Sequence, residues 1–355
     1  MEDEGDSNCF RAGESAQEKG LPYVPECYKI PTSDRASSSP EMAKVPLVDL
    51  AGLRKGPQQR AIAIEAIKDA CLRLGFFQIV NHGICQSVLD DALSSAFDFF
   101  RLPAAEKVKF MSNDVHTPVR YGTSLKDGAD KIQFWRVFLK QYAHPLEDFI
   151  ESWPTNPPTY REKMGRYCKE VRKLGLELMG AITESLELGP NYLSEKLESG
   201  MQVMAVNCYP PCPNPDLALG LPPHSDYSCL TIVLQSSPGL EIMDAEAGAD
   251  GWRLIPDLRG VLQVHVGDHF EVLSNGTYKS LVHRATLNRE RTRISVASLH
   301  SLGMDEKMGP AEELVDDQER KKKYKESSFG DFLNFLATND IAEGKTFINT
   351  LKIEN

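Results

Sequence analysis

The sequence predicts a mixed α/β (α+β) protein whose core is a double-stranded β-helix, that is, a jelly roll of the cupin-like kind. Three observations carry this prediction. Up to about residue 200 most apolar residues recur at helical spacing; from there to residue 302 short β-branched runs alternate with Pro, Gly and Asn; and Phe329 to Ala337 has the pattern of a closing helix. We therefore expect a mostly helical N-terminal region, a strand-rich core and a C-terminal helix.

The N-terminal part opens with a polar stretch. Residues 1–45 are rich in Ser, Glu and Pro, which predicts a partly disordered N-terminal extension. Residues 46–199 are predicted to be the mostly helical region, with short strands at Val45 to Leu50 and Gly75 to Val80 and an irregular aromatic stretch over residues 112–153. The apolar positions that define its main helices are Ile64, Ile67, Cys71 and Leu74, then Leu89, Leu93, Phe97 and Phe100, and then Met164, Tyr167, Val171, Leu174, Leu178, Ile182 and Leu186.

Residues 200–302 are predicted to form the jelly-roll core from short antiparallel strands, and residues 303–355 a C-terminal helical segment. Asn275-Gly276 is a two-residue signal for a hairpin between two of these strands. The predicted strands are Val203 to Tyr209, Leu230 to Gln235, Leu240 to Met243, Trp252 to Ile255, Val261 to Val266, Phe270 to Leu273, Tyr278 to Val282 and Arg293 to Leu299.

Charge and composition restrict the class of function. The 355 residues carry a formal net charge of -11, which argues against nucleic acid or an anionic membrane as the main partner. No run approaches the roughly 18 apolar residues of a membrane span, and the acidic start is unlike a signal peptide. The eight cysteines form no C-x-x-C pair, so reduced thiols are expected. We expect a cytoplasmic monomer that binds a small-molecule substrate.

A single His-x-Asp motif stands before the apolar run Cys229 to Leu234. If His224 and Asp226 lie on one strand, both side chains point to the same face. His283 follows Asp226 by fifty-seven residues (283 minus 226). Two His and one carboxylate on one face, with the opposite positions open, form the facial triad of non-haem Fe(II) oxygenases. The motif therefore indicates a candidate iron site.

A second pair of polar residues has the chemistry of an anion receptor. Arg293 and Ser295 are two apart on a predicted strand, so the guanidinium and the hydroxyl share a face. A forked donor beside a third hydrogen-bond donor suits a carboxylate, and Tyr209 on a neighbouring strand offers a phenol. A metal with open positions beside a fixed anion site suits a chelating keto acid.

Together these segments resemble the plant Fe(II)/2-oxoglutarate-dependent dioxygenases, in particular the specialised-metabolism class of flavanone hydroxylases, flavone synthases and salicylate hydroxylases. The likeness runs from about residue 20 to the end of the chain. The segments that carry it are Gly75-Phe76-Phe77, Asn81-His82-Gly83, Asn207 to Pro213, Leu219 to Asp226, Leu273 to Gly276, Tyr278-Lys279-Ser280, His283-Arg284 and Arg293-Ile294-Ser295.

The resemblance implies a role for each matching residue. It implies an oxidoreductase that uses 2-oxoglutarate and O2 as cosubstrates, with ascorbate as reductant, and that hydroxylates or desaturates a small aromatic or phenolic plant metabolite or hormone while forming succinate and CO2. The implied iron ligands are His224, Asp226 and His283, and the implied 2-oxoglutarate contacts are Arg293, Ser295, Tyr209 and Asn207.

Three positions depart from the family pattern. His265 and His269 stand where many relatives have Asn and Gln, and Cys208 stands where many have Tyr. Residues 264–269 are predicted to be a strand and its turn, so the two His are not expected to share a helix face or to bind a second metal. For the wall of the substrate pocket, the sequence suggests Tyr121, Phe134, Tyr227 and Leu299.

Two alternatives stay open at this point. An oxidase of the isopenicillin N synthase or aminocyclopropane carboxylate oxidase kind shares the triad and the Arg-x-Ser pair without using 2-oxoglutarate. A jelly-roll protein that only binds a small molecule has no need of iron ligands. Formation of succinate would distinguish the 2-oxoglutarate-dependent dioxygenase from both of these alternatives.

Overall fold

The computed structural model describes residues 11–37, 39–124, 132–244, 251–316, 320–339 and 346–354. The α-helices of these residues are α1 Ala16–Lys19, α2 Pro57–Arg73, α3 Gln86–Phe100, α4 Ala104–Lys107, α5 Leu146–Phe149, α6 Tyr160–Ser185, α7 Ser194–Glu198, α8 Asp268–Leu273, α9 Phe329–Thr338 and α10 Phe347–Leu351. The strands are β1 Leu47–Asp49, β2 Phe76–Val80, β3 Val119–Gly122, β4 Val137–His144, β5 Gln202–Tyr209, β6 Leu221–His224, β7 Leu230–Gln235, β8 Leu240–Met243, β9 Trp252–Leu254, β10 Leu262–Val266, β11 His283–Ala285 and β12 Arg293–His300.

The strands form two sheets. The large sheet has the order β1-β2-β10-β7-β12-β5-β4-β3, and the small sheet has the order β6-β11-β8-β9. Apart from the neighbours β8 and β9, the strands β5 to β12 alternate between the sheets, with β5, β7, β10 and β12 in one and β6, β8, β9 and β11 in the other. Apart from the parallel pair of β1 and β2, neighbouring strands run antiparallel. This is the jelly roll of a mixed α/β protein, as the sequence predicts.

The large sheet separates helices α2, α3 and α6 from the interior of the jelly roll. Ile294 and Val296 of β12 point to the helical side, where they share one hydrophobic core with Val171 and Leu178 of α6. The intervening residues of β12 point the other way because strand side chains alternate. Both faces of β12 are thus largely buried, with Arg293 and Ser295 on the side opposite Ile294 and Val296.

The corner between α2 and β2 depends on Gly75. Its φ is +64°, and a Cβ placed there would lie 1.9 Å from the carbonyl oxygen of Lys279. The Gly75 carbonyl accepts a hydrogen bond from the amide of Val266 in β10. The absence of a side chain thus allows the chain to turn tightly and pack against the core strands.

The described part of the expected N-terminal extension is packed against the fold. Tyr28 is fully buried and its ring meets Trp135 edge to face at 5.3 Å. Tyr121 donates a hydrogen bond to Glu18, which also pairs with Lys107. Residues 11–37 therefore make specific contacts, because these few apolar and charged side chains find partners that the composition of the stretch does not reveal; the partial disorder of residues 1–45 stays a prediction.

The region predicted to be mostly helical also contains a pair of strands that the sequence did not indicate. β3 and β4 pair antiparallel, and β4 extends the large sheet beside β5. Six of the eight residues of β4 are buried, so it lacks the alternation that identifies a half-exposed strand.

Two predicted strands of the core are not strands. Phe270 to Leu273 belongs to helix α8, in which all six residues are buried, and a short apolar run of this kind has no periodicity to tell helix from strand. Residues 278–282 are irregular, and the next strand begins at His283. Asn275 and Gly276 do adopt positive φ, of 50° and 78°, but they close the turn after α8 instead of a hairpin.

No helix among the described residues is long and apolar enough to cross a bilayer.

Candidate active site

Two imidazoles meet on the small sheet. His224 ends β6 and His283 begins β11, and the antiparallel register places their Cα atoms directly opposite one another. Their ring centroids are 4.2 Å apart. Cross-strand partners are close neighbours on one face of a sheet, so two His that are far apart in sequence become adjacent ligands.

Backbone carbonyls fix which nitrogen of each ring is free. Nδ1 of His224 lies 2.8 Å from the carbonyl oxygen of Pro222, and Nδ1 of His283 lies 3.2 Å from that of Leu281. A carbonyl oxygen only accepts, so each Nδ1 carries the proton and donates it. Both Nε2 lone pairs are therefore available to a metal, an arrangement typical of metal-binding His.

Asp226 supplies the third group from the segment after β6. Its Oδ1 lies 3.8 Å from Nε2 of His224 and 3.7 Å from Nε2 of His283. One ligand atom from each of the three side chains lies within 4.8 Å of the others. The expectation that His224 and Asp226 share a strand is wrong, since Asp226 lies beyond the end of β6; its backbone carbonyl instead accepts hydrogen bonds from the amides of Ser228 and Asp268.

The electrostatics of the three groups suit a cation. Burial, together with the neighbouring His283, lowers the pKa of His224 to about 4. Burial alone would raise the pKa of Asp226, but the imidazoles of His283, His265 and His224 hold it below its usual value. At neutral pH the site thus presents a carboxylate and a neutral His224 imidazole. Two imidazoles and one carboxylate with open positions opposite fit Fe(II).

A buried guanidinium lies at the other end of the same cavity. Arg293 is 2% exposed; its Nε donates to the carbonyl of Ser237 at 3.0 Å and its Nη2 to Oε1 of Gln235 at 3.0 Å. Its Nη1 is buried and has no hydrogen-bond partner among the described residues. Burial lowers the pKa of Arg293, and interaction with Tyr209 opposes that shift. An unused donor on a buried cation is suited to a carboxylate.

The register of β12 and β5 assembles the other predicted cosubstrate contacts. Arg293 is paired with Tyr209 and Ser295 with Asn207. The guanidinium lies 5.0 Å from the centroid of the Tyr209 ring. Oδ1 of Asn207 accepts a hydrogen bond from Nη1 of Arg136 at 3.0 Å. The four predicted residues therefore lie on one face of two adjacent strands.

All seven predicted metal and cosubstrate residues line one cavity of about 160 Å³, together with Leu299. The other three residues suggested for the substrate wall do not line this cavity. Tyr121 is buried among core residues and bonds to Glu18, Phe134 packs with Ile30 and Leu219, and Tyr227 stacks on Phe332 at 4.5 Å beneath the C-terminal helices. Aromatic character did not distinguish a pocket wall from a core.

The cavity also contains residues that sequence reasoning did not assign to it. They are Arg136, Ala205, Leu221, Val233, Leu240, His265, Ala285 and Ala297. Alternation along β5 and β12 would have found Ala205 and Ala297, because each is two residues from a predicted contact. Arg136 comes from the segment before β4 and His265 from β10, and only the order of strands in the sheet brings them here.

His265 and His269 lie in different environments. His265 is on β10, whereas His269 is in α8, with its ring 4.3 Å from that of Tyr227 and its Nδ1 3.8 Å from Sγ of Cys229. The predicted turn after the strand is thus a helix, and the two rings do not face one another. None of the seven cysteines in the described ranges forms a disulfide, and Cys208 packs in the core on the helical side of β5.

Comparisons with known proteins agree with this geometry. Residues 200–301 match the 2OG-Fe(II) oxygenase superfamily, and residues 45–158 match the N-terminal region of non-haem dioxygenases in morphine synthesis. The chain is 49% identical to "2-oxoglutarate-dependent dioxygenase 21, chloroplastic" of Oryza sativa subsp. japonica, over 89% of this chain and 93% of that one. It is 45% identical to "Flavanone 3-dioxygenase 3" of the same plant, over 91% and 98% of the two chains.

The fold has a solved counterpart as well. The crystal structure of JOX2 in complex with 2OG, Fe and JA superposes with a TM-score of 0.80 and 30% identity, covering 91% of this chain and 92% of that one. These similarities support the dioxygenase reading and neither of the two alternatives, the oxidase that does not use 2-oxoglutarate and the non-catalytic binder.

Proposed function

The chain belongs to the 2OG-Fe(II) oxygenase superfamily, and from that premise we propose which of its residues do the work: His224, Asp226 and His283 hold Fe(II), and Arg293, Ser295, Tyr209 and Asn207 hold 2-oxoglutarate. The protein is an oxidoreductase, a dioxygenase that uses Fe(II) and 2-oxoglutarate and acts on a small metabolite. The observation that carries the assignment is the convergence of one ligand atom from each of His224, Asp226 and His283 within 4.8 Å of the others.

Residues 46–199 and 200–302 act as one enzyme in this proposal, the second supplying the site and the first covering its large sheet. Residues 303–355 contribute a helical segment, and residues 1–45 an extension. The chemistry that the bound iron and 2-oxoglutarate supply is the activation of O2, coupled to decarboxylation of 2-oxoglutarate to succinate. The side chains of this protein orient the two and exclude water.

The assignment of 2-oxoglutarate to Arg293 rests on its unused Nη1. The other two guanidinium nitrogens are held by Ser237 and Gln235, so the side chain is already oriented before a ligand arrives. A preorganised donor loses little freedom on binding, which increases affinity for the distal carboxylate. The Ser295 hydroxyl, on the same face of β12, adds a further donor.

For the organic substrate we propose an aromatic or phenolic plant metabolite. The cavity wall combines apolar side chains such as Leu221, Leu240 and Leu299 with the guanidinium of Arg136. A planar guanidinium stacks on aromatic rings and donates to phenolic oxygens. The relative named flavanone 3-dioxygenase 3 carries a name of the same substrate class.

The substrate is tested with a panel of flavonoids, phenolic acids and plant hormones, incubated with enzyme, Fe(II), 2-oxoglutarate, O2 and ascorbate. We expect one member to gain one oxygen atom or to lose two hydrogens, read by mass, with one succinate formed per turnover. Product without succinate would instead favour the oxidase that does not use 2-oxoglutarate. Binding without turnover of any panel member would favour a pure binding protein.

The metal site is tested by replacing each ligand with Ala. His224→Ala, Asp226→Ala and His283→Ala are each expected to abolish succinate formation and lower iron content, because two remaining ligands do not hold the open coordination geometry. The apolar core should keep each variant folded, which circular dichroism checks. Retention of iron and of succinate formation by any of the three contradicts the assignment.

We also propose that the enzyme works as a monomer in the cytoplasm. One chain supplies every proposed ligand, so a second copy is not required at the site. The free thiols of the described residues suit a reducing compartment. Light scattering on the purified protein and a fluorescent fusion in plant cells test the two points; a chloroplast signal would instead match the label of the rice relative.

A further inference from the structure

His265 is a buried imidazole that faces the proposed metal site. It is 1% exposed, and both ring nitrogens are buried and have no hydrogen-bond partner among the described residues. Its ring meets the rings of His283 and Phe76 edge to face, at 4.7 and 5.0 Å. A buried polar group without a partner costs free energy, so a partner in the working enzyme is expected.

The nearest acceptor is the proposed iron ligand Asp226. Nδ1 of His265 lies 3.7 Å from Oδ2 of Asp226, whereas the two ligand imidazoles approach the other oxygen, Oδ1. The two oxygens of this carboxylate therefore have different surroundings. His265 is not part of the group whose ligand atoms lie within 4.8 Å of one another, so a fourth ligand is not indicated.

A second side chain reaches the same carboxylate from the adjacent strand. Thr231 of β7 is the Cα partner of His265 across the β10–β7 pair, and its hydroxyl is among the groups that lower the pKa of Asp226. Thr231 is fully buried, with its Oγ1 3.1 Å from Oγ of Ser228. Two cross-strand neighbours of the large sheet thus converge on a ligand that belongs to the segment after β6.

We propose that His265 and Thr231 are a pair of positioning residues that hold the Asp226 carboxylate by its second oxygen, so that a single oxygen faces the metal. This inference rests on the proposed function, since it assumes that Asp226 binds iron. Ligating carboxylates are commonly held by such outer hydrogen bonds. A carboxylate that accepts but never donates favours the tautomer of His265 with the proton on Nδ1.

The consequence concerns coordination number. A carboxylate free to rotate can offer both oxygens to a metal, and the second oxygen then occupies a position that the cosubstrate needs. The separation of 3.7 Å is longer than a hydrogen bond, and contacts around an active site commonly tighten when its ligands bind. We therefore expect His265 and Thr231 to affect the affinity for Fe(II) and the geometry of the site when Fe(II) and 2-oxoglutarate are bound.

The test compares variants that keep or remove the donor. His265→Leu fills most of the volume without an N–H, whereas His265→Asn keeps an amide N–H; Thr231→Val removes the hydroxyl at constant shape, whereas Thr231→Ser keeps it. Affinity for Fe(II) is measured anaerobically by calorimetry on the full chain. The charge-transfer band of the Fe(II)–2-oxoglutarate chelate reports the geometry of the loaded site.

We expect His265→Leu and Thr231→Val each to weaken Fe(II) binding by about 10- to 100-fold and to shift the band. His265→Asn and Thr231→Ser should stay close to wild type. The matched control is His269→Leu, which also removes a buried imidazole but faces Cys229 and Tyr227, and should leave metal affinity unchanged.

The outcomes separate this inference from the proposed function. If His283→Ala binds Fe(II) as tightly as wild type, the proposed metal site itself is wrong. If His283→Ala loses the metal while His265→Leu and Thr231→Val keep wild-type affinity and an unshifted band, only the inference is overturned. The inference is also overturned if His265→Asn binds Fe(II) as weakly as His265→Leu. Should His265→Leu not fold, the isosteric Thr231→Val carries the same test.

Discussion

At the scale of single residues, Arg293 shows how a buried cation is prepared for one ligand. Two of its guanidinium nitrogens are held by the protein and the third is not. Removing one partner of a buried ion pair costs about 3–5 kcal/mol. At about 1.4 kcal/mol per tenfold, Arg293→Ala should therefore weaken the apparent affinity for 2-oxoglutarate about a hundredfold or more.

The order of damage among conservative variants is equally informative. Arg293→Lys keeps the charge without the planar fork, and Ser295→Ala removes one hydrogen bond worth about 1.5–3 kcal/mol, so both should fall between wild type and Arg293→Ala. The Michaelis constant for 2-oxoglutarate is the measurement. Arg120→Lys is the control, because Arg120 is also 2% exposed but binds the carbonyls of Ser112 and Ser124 away from the cavity. An unchanged constant in Arg293→Ala, with activity lost only toward the organic substrate, would assign this site to the substrate instead.

Some residues of the site could be predicted from the sequence and others could not. His224, Asp226 and His283 were indicated by residue type and spacing, and so were Arg293 and Ser295 two positions apart. Arg136 and His265 were not, because nothing local marks them as facing a cavity. Their place follows from strand order, in which β10 lies two strands from β12 and β4 lies beside β5. Long-range order of this kind has no signal in a single sequence.

At the scale of elements, the corner at Gly75 offers a matched pair of substitutions. Gly75 and Gly20 have nearly the same φ, +64° and +63°, but a Cβ at Gly75 would meet Lys279 O whereas a Cβ at Gly20 would meet nothing within 4 Å. Gly20→Ala should cost about 1–2 kcal/mol for the left-handed backbone alone. Gly75→Ala should add a packing cost of about 1–3 kcal/mol or more.

Urea unfolding of both variants measures the difference, which isolates the close approach of α2–β2 to the strand-rich core. Equal losses of unfolding free energy would show that the corner relaxes without cost.

Element boundaries were predicted well where the pattern is amphipathic and poorly where burial is complete. The long helix α6 was recognised because its apolar residues occupy one face over seven turns. Helix α8 was mistaken for a strand because all six of its residues are buried, so polar residues give no period. β4 was missed for the same reason. The number of strands in the core was right, but β6 and β11 stand in place of two predicted strands. The strand β6 contains Pro222 and Pro223, which are unusual within strands.

At the scale of the whole molecule, buried neutral imidazoles make stability depend on pH. Burial lowers the pKa of His269 to about 3, and burial with Arg172 and His144 lowers that of His300 to about 3. In the unfolded chain each of these imidazoles takes up a proton near pH 6.5, whereas in the folded state it does so only near pH 3. Each of these His therefore lowers the unfolding free energy by about 1.4 kcal/mol per pH unit as the pH falls through that range.

The expected result concerns the difference between two proteins. Burial raises the pKa of Asp268 to about 7, so this group stabilises the folded state as the pH falls, opposite to the two His. The unfolding free energy of the wild type as a function of pH therefore combines effects of both signs. Urea unfolding of wild type and His269→Gln at pH 7.5, 6.5 and 5.5 isolates the effect of His269, because the other titrating groups are present in both proteins. Below about pH 6.5 the variant should lose stability less steeply, by about 1.4 kcal/mol per pH unit. Parallel profiles would show that His269 is protonated in the folded state.

The position of the triad at the edge of the small sheet has a mechanical consequence. Among the described residues, β6 is the outermost strand of that sheet and is paired only with β11. An ion bound to His224, His283 and Asp226 would tie this edge strand to its neighbour and, through the approach of His265 in β10 to Asp226, to the large sheet. The metal is then a removable cross-link between two layers, comparable in effect to a disulfide that closes a long loop. Amide protons of β6 and β11 should exchange with solvent more slowly when iron is bound, and the edge of the jelly roll should open first when it is withdrawn.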